Sequence, residues 1–240
     1  MIDARKLVLA LRGSLVPVPA SGEEGICSIC HSSAEHGEAM CAPCRQAQWM
    51  DPPEVLPITM SIHGGLVHHH LRAYKDGRSA AERERMSLRL AGLLSVFLVH
   101  HGSCIGGFDY VAAVPSFRGV ALDAVLARTR LLEGRFRQVI EIGSVPQVPR
   151  SIEEGRYVVR SRVAGDRVLL LDDTFTTGAS IFSAVIALRR SGAQVVGPVV
   201  IGRHVQPEWP HSSELLSWLK KRPWDEERCA RCNGERRGEE

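Results

Sequence analysis

Val168-Leu169-Leu170-Leu171-Asp172-Asp173-Thr174-Phe175-Thr176-Thr177-Gly178-Ala179-Ser180 decides how the rest of this chain is read. Four consecutive apolar residues ahead of the acids predict a strand buried on both faces of a parallel sheet. The two carboxylates then fall at its C-terminal edge, where open α/β sheets take their ligands. Gly178 marks a point where the backbone bends or is approached closely. Ala179 to Arg190 carries Ile181, Val185, Ile186 and Leu188 at helical spacing. Arg189 and Arg190 suit a helix C-terminus, and Gly192 just beyond is a stop.

The chemistry of this stretch is specific. Open N–H groups at a helix N-terminus, with Thr and Ser hydroxyls beside them, make a socket for phosphate. Adjacent ionised carboxylates accept hydrogen bonds and donate none. They suit a sugar diol or a bound Mg²⁺ rather than the phosphate itself. A phosphate and a diol held close together describe a ribose 5-phosphate. The stretch resembles the 5-phosphoribosyl-1-pyrophosphate (PRPP) loop of type I phosphoribosyltransferases. That resemblance implies that Asp172 and Asp173 are the catalytic acids on the ribose hydroxyls. It implies equally that Thr174, Thr176, Thr177, Gly178, Ala179 and Ser180 bind the 5-phosphate.

The whole chain bounds the reading. Its 240 residues suffice for one α/β domain with appendages. A net charge of +3 is too mild to argue for nucleic acid, which is not expected to bind directly. The charge is unevenly placed: Arg118 to Arg167 holds ten basic and six acidic residues, an excess larger than that of the whole chain. An anionic substrate accounts for it, although a solvated basic face is the commoner source of such a count. No run is expected to reach the length of a transmembrane helix, and no apolar leader opens the sequence. Six of seven cysteines form Cys-x-x-Cys pairs, which without a leader favours metal thiolates over disulfides and a cytoplasmic protein.

Three regions are expected: residues 1–56 with a helix and a cysteine knuckle, residues 57–206 as the α/β domain, and residues 207–240 as a tail. Ile2 to Leu15 reads as an amphipathic helix. Cys27-x-x-Cys30 and Cys41-x-x-Cys44 form two knuckles that aim four sulfurs at one point, the closed set of a structural Zn²⁺ site. Ile58 to Ala73 reads as strand material broken at Gly64-Gly65. There His68, His69 and His70 point alternately and share no metal. Tyr74 to Arg78 reads as a turn, Ala80 to His101 as a long helix, Asp109 to Pro115 as a second buried strand and Leu122 to Leu132 as a helix. Gly134 to Val163 is irregular and long enough to include a loop over the site. Gln194 to Val205 is another strand, which completes the order of a doubly wound parallel sheet. In the tail, Cys229-x-x-Cys232 needs two further ligands to close a metal site, and the sequence leaves them open. Cys104 reads as an ordinary packed cysteine.

The knuckle, Tyr74-Lys75 with Gly77, Val114-Pro115 before Arg118-Gly119, and the PRPP-type loop together are similar to the ComF/GntX-like group of phosphoribosyltransferase-fold proteins. This resemblance implies that Lys75 and Gly77 lie near the pyrophosphate and Arg118 near the entrance. It implies a PRPP-dependent transfer to a nitrogen acceptor with Mg²⁺; structural Zn²⁺ and no membrane are expected from the cysteine spacing and the hydropathy, and a homodimer is left open. Val120, Ala121 and Leu122 depart from the group's usual Phe-Asn-Gln, and Arg128, Thr129 and Arg130 are weak candidates for a hood. A non-catalytic PRPP sensor or DNA-uptake partner is the alternative.

Overall fold

The computed structural model describes residues 4–117, 122–146, 148–209 and 211–232. In chain order the helices are α1 (Ala4–Leu9), α2 (Ala42–Gln46), α3 (Leu66–Asp76), α4 (Ala80–Ile105), α5 (Asp123–Leu126), α6 (Ala179–Arg190) and α7 (Ser212–Lys220). The strands are β1 (Leu56–Ile62), β2 (Tyr110–Ala113), β3 (Ile140–Ile142), β4 (Tyr157–Val159), β5 (Arg167–Phe175) and β6 (Gln194–Val205).

Four strands form a sheet of order β1-β6-β5-β2, parallel throughout. The centre of that sheet is the opening stretch. Strand β5 is hydrogen-bonded on both sides, with Leu171 opposite Val199 of β6 and Ala113 of β2. Its side chains alternate between two cores. Leu169 and Leu171 join α3 and α4, whereas Val168 and Leu170 join α6. Burial on both faces is why the sequence shows an unbroken apolar run. Helices cover both faces, so the doubly wound α/β sheet expected from the sequence is the observed fold. The bounds of α6 and β6 coincide with those read from the sequence.

Several elements differ from expectation. Residues 66–76 are helix, not strand. Buried Val67, His70, Leu71 and Tyr74 repeat at helical spacing, and Gly65 forms the N-cap. The three histidines therefore fan around a helix, and Tyr74 and Lys75 lie in its last turn with Gly77 as the C-cap. Leu122 to Leu132 breaks into α5 and a 3₁₀ turn at Arg130–Leu132. The first helix is likewise short, followed by a 3₁₀ turn at Arg12–Ser14. Residues 134–163 contain an antiparallel ribbon of β3 and β4. Helix α4 runs to Ile105 and, among the described residues, is the one helix long and apolar enough to cross a membrane. Its apolar side is core: Leu90, Leu93, Leu94 and Phe97 are buried against the sheet and its neighbouring helices.

Candidate functional site

The acids and hydroxyls gather where β5 runs into α6. Gly178 turns the chain at φ +87°, a conformation that disfavours any Cβ. Its space is equally restricted: a Cβ there would stand 2.4 Å from the Phe182 ring and 2.8 Å from Phe175. Gly178 also leaves α6 without a side-chain cap. Gly178, Ala179, Ser180 and Ile181 line a cavity of about 180 Å³ together with Asp172, Thr174, Thr176 and Thr177. First-turn N–H groups and four hydroxyls around one cavity are the composition of an anion socket.

Two arginines that the sequence did not single out complete it. Arg150 and Arg156 come from the segment between β3 and β4 and line the same cavity. Arg156 is 6 % exposed. Its Nη2 donates to the carbonyls of Val148 and Ser151 and pairs with Glu153 at 3.0 Å. Its Nε is buried without a hydrogen-bond partner among the described residues. The segment is fixed to α6 by the Glu153 N–H, which donates to Ser183 Oγ at 2.9 Å. The local basic surplus thus places two arginines at the cavity, Arg150 exposed and Arg156 buried and paired with Glu153. The only sequence signal for it was that count.

The two acids part company. Asp172 is half-buried and lines the cavity; its Oδ1 accepts from the Asp173 N–H at 2.8 Å. Burial, reinforced by the neighbouring Asp173 charge, pushes its carboxyl well above the usual carboxylate range. Asp173 is buried and turns toward α3, where its Oδ2 accepts from the Tyr74 hydroxyl and pairs with Lys75 Nζ. Tyr74 is held above its ordinary pKa by burial and by that carboxylate. Lys75 therefore belongs to the acid pair. Gly77 lies at the end of α3, its N–H donating to Ala73 O and its carbonyl accepting from Arg83. Arg118 lies outside the described residues. Arg128, Thr129 and Arg130 are elsewhere: Arg128 and Arg130 border a larger cavity of about 560 Å³ between α1 and α4. Thr129 is buried and bonded to Val125 O.

The four N-terminal cysteines do converge. Their sulfurs lie within 4.8 Å of one another, with Cys30 and Cys41 at 3.6 Å, and all four are buried. Sulfurs at about 2.3 Å from a tetrahedral Zn²⁺ lie about 3.8 Å apart, so the set fits zinc. A second observation supports the fit. Arg203 on β6 is 2 % exposed, and its buried Nε has no hydrogen-bond partner among the described residues. Burial works against its charge, yet the sulfurs of Cys30, Cys41 and Cys44 hold its pKa up. Deprotonated, metal-bound sulfurs would supply the counter-charge that a buried guanidinium requires. Arg203 also donates to the Phe175 carbonyl at 3.3 Å, at the head of the loop between β5 and α6. The C-terminal pair lies apart from these cysteines: Cys229 and Cys232 stand with His101 and Cys104. Cys104 is thus a member of a cluster rather than an isolated packed thiol.

No protein-family model matches the chain. Part of it is similar to orotate phosphoribosyltransferases. Identity is 35 % over 60 residues with the Levilactobacillus brevis enzyme, covering 25 % of this chain and 29 % of that one. It is 39 % over 59 residues with that of Pyrobaculum aerophilum, covering 25 % and 31 %. It is 46 % over 46 residues with that of Mycobacterium avium, covering 19 % and 26 %. The chain thus spans under a third of the length of these curated relatives. A solved phosphoribosyltransferase from Corynebacterium diphtheriae aligns with 58 % of this chain and 94 % of its own, at 22 % identity and a TM-score of 0.35. That likeness is too distant to bear on the site.

Proposed function

We propose that the chain is a cytoplasmic, PRPP-dependent phosphoribosyltransferase of the ComF/GntX-like kind that transfers ribose 5-phosphate to a nitrogen acceptor. The observation that carries this reading is the cavity itself: helix N-terminus, four hydroxyls, Asp172 and two arginines around one space at the C-terminal edge of the central strand. Thr174 to Ser180, with Arg150 and Arg156, hold the 5-phosphate. Asp172 accepts from a ribose hydroxyl. Lys75 leaves Asp173 for the pyrophosphate, which frees the second carboxylate for the sugar. The acceptor nitrogen forms a bond to C1 as the bond from C1 to the pyrophosphate oxygen breaks. The protein's share is positioning and fixed charge. The hard oxygens of Asp172 suit Mg²⁺, which when bound neutralises the pyrophosphate. Orotate, named for the relatives, is the first acceptor to try.

One feature favours a second reading, a module that binds PRPP without turnover: Arg128, Thr129 and Arg130 do not line the cavity. Calorimetry with Mg-PRPP tests the site in both readings. A charge-assisted hydrogen bond contributes about 1.5–3 kcal/mol, so Asp172→Asn should weaken binding roughly 10- to 150-fold. Unchanged affinity refutes the assignment. A screen of nucleobases for pyrophosphate release then separates enzyme from sensor.

A further inference from the structure

We infer that the C-terminal pair completes a second structural Zn²⁺ site, made by His101, Cys104, Cys229 and Cys232. The four ligand atoms come from parts of the chain more than a hundred positions apart, yet lie within 4.8 Å of one another. Two of the separations are close to the edges of a metal tetrahedron. Cys229 Sγ and Cys232 Sγ are 3.5 Å apart, and Cys232 Sγ lies 3.4 Å from His101 Nδ1. With Zn–S at about 2.3 Å and Zn–N at about 2.05 Å, tetrahedral edges are about 3.8 Å between sulfurs and about 3.5 Å between sulfur and nitrogen. No disulfide joins any of the seven cysteines.

The surroundings are arranged as outer partners of a metal are. The imidazole of His101 is buried, and its Nε2 lies 3.0 Å from the carbonyl of Glu226. A carbonyl accepts only, so Nε2 carries the proton and Nδ1 presents its lone pair to the sulfurs. The chain between the two tail cysteines folds as a tight knuckle: each backbone N–H donates to the other's carbonyl, at 3.0 and 3.2 Å. The Arg231 N–H points at Cys229 Sγ at 3.4 Å, as expected for a donor to a thiolate. The Arg231 side chain spans the site, with Nη1 on the Cys104 carbonyl at 2.8 Å and Nε on Glu54 at 2.6 Å. Helix α4 leaves α geometry at His101, within the turn that brings His101 and Cys104 together. Three thiolates and one imidazole with no open position describe a closed, structural site.

The two metal sites share a carboxylate. Glu54 accepts from Arg231 of the tail and lies 3.3 Å from Nε2 of His31, the neighbour of Cys30. Glu54 is pulled down to about 2 despite its burial by His31, Ser21 and Arg231. The tail is therefore fixed both to α4 and to the N-terminal knuckle.

The test is metal content of the full chain by native mass spectrometry and elemental analysis after expression with zinc. Two zinc ions per chain are expected, falling to one in Cys229→Ser/Cys232→Ser. One zinc in the wild-type chain overturns the inference, as do two in the double variant. If that variant does not fold, alkylation of the wild-type chain decides. Cys104, Cys229 and Cys232 should be protected together by zinc and become reactive together on chelation. Labelling of Cys104 alone in the zinc-loaded chain, or a mass loss of two hydrogens from a Cys229–Cys232 disulfide, refutes it.

Discussion

Gly178→Ala perturbs the loop between β5 and α6 in two separable ways. Its φ of +87° is a left-handed conformation, which costs an L-residue about 1–2 kcal/mol. The added Cβ also enters space 2.4 Å from the Phe182 ring and 2.8 Å from that of Phe175, and overpacking of this kind costs about 1–3 kcal/mol. The total is about 2–5 kcal/mol, or at least about 4 °C in Tm for a chain of this size. A control lies within the same protein. Gly165 has the same φ of +87°, but nothing lies within 4 Å of its missing Cβ. Gly165→Ala carries the conformational cost, and the same loss of unfolded-state freedom, without the crowding. Urea denaturation of both variants isolates the difference, expected at about 1–3 kcal/mol. Equal destabilisation would refute the claim that Phe175 and Phe182 close around the loop. Gly178→Ala should also weaken PRPP while Gly165→Ala leaves it unchanged.

Three further outcomes are expected. Asp172 titrates above the usual range in the folded chain, so its ionisation costs stability as pH rises through that raised value; below about 4 it is protonated in both states and costs nothing. Asp172→Asn should raise Tm at neutral pH, with the gain vanishing toward pH 4, and a gain independent of pH would disprove it. Lys75→Met leaves the buried Asp173 charge with Tyr74 alone and should cost about 3 kcal/mol; Lys75→Met/Asp173→Asn should recover most of this in a denaturation cycle. Additive losses would show that the pair is not coupled. Arg203→Met should lower zinc affinity of the four-cysteine knuckle about 10- to 100-fold in competition with a chelator, and an unaltered affinity would exclude Arg203 as its counter-charge.

The sequence was most legible where burial is complete. Strand β5, α6 and β6 appear in it as uninterrupted or helically spaced apolar runs because both faces of the sheet are covered. It misled where polar residues occupy buried positions. His70 replaces an apolar residue on the inner face of α3, which hides the repeat of Val67, Leu71 and Tyr74. Helix α7, within the segment expected as a tail, is buried through Ser212, Leu215 and Leu219 at a helical spacing. The anion socket was read from its local part, whereas Arg150, Arg156 and Arg203 reach their positions only through tertiary folding. His101 and Cys104 at a three-residue spacing on a helix are a metal-ligand pattern that the remoteness of the tail concealed. The sequence presents the two acids as one unit. Only the structure separates the cavity-facing Asp172 from the Asp173 that Tyr74 and Lys75 hold.

The meeting of Cys104 with the Cys229 knuckle has a topological consequence. A metal held there turns a linear polymer into a closed ring of about 125 residues with an N-terminal arm, and such a closure removes about 5 kcal/mol of entropy from the unfolded chain. The ring encloses β2, the β3–β4 ribbon, β5 with the loop that follows it, α6, β6 and α7; the arm keeps β1, α3 and the four-cysteine knuckle. Three of the four strands of the parallel sheet would then search for their partners within one tethered loop. The metal-loaded chain should accordingly expose less surface on unfolding, with a smaller denaturant slope, than the chain stripped of metal.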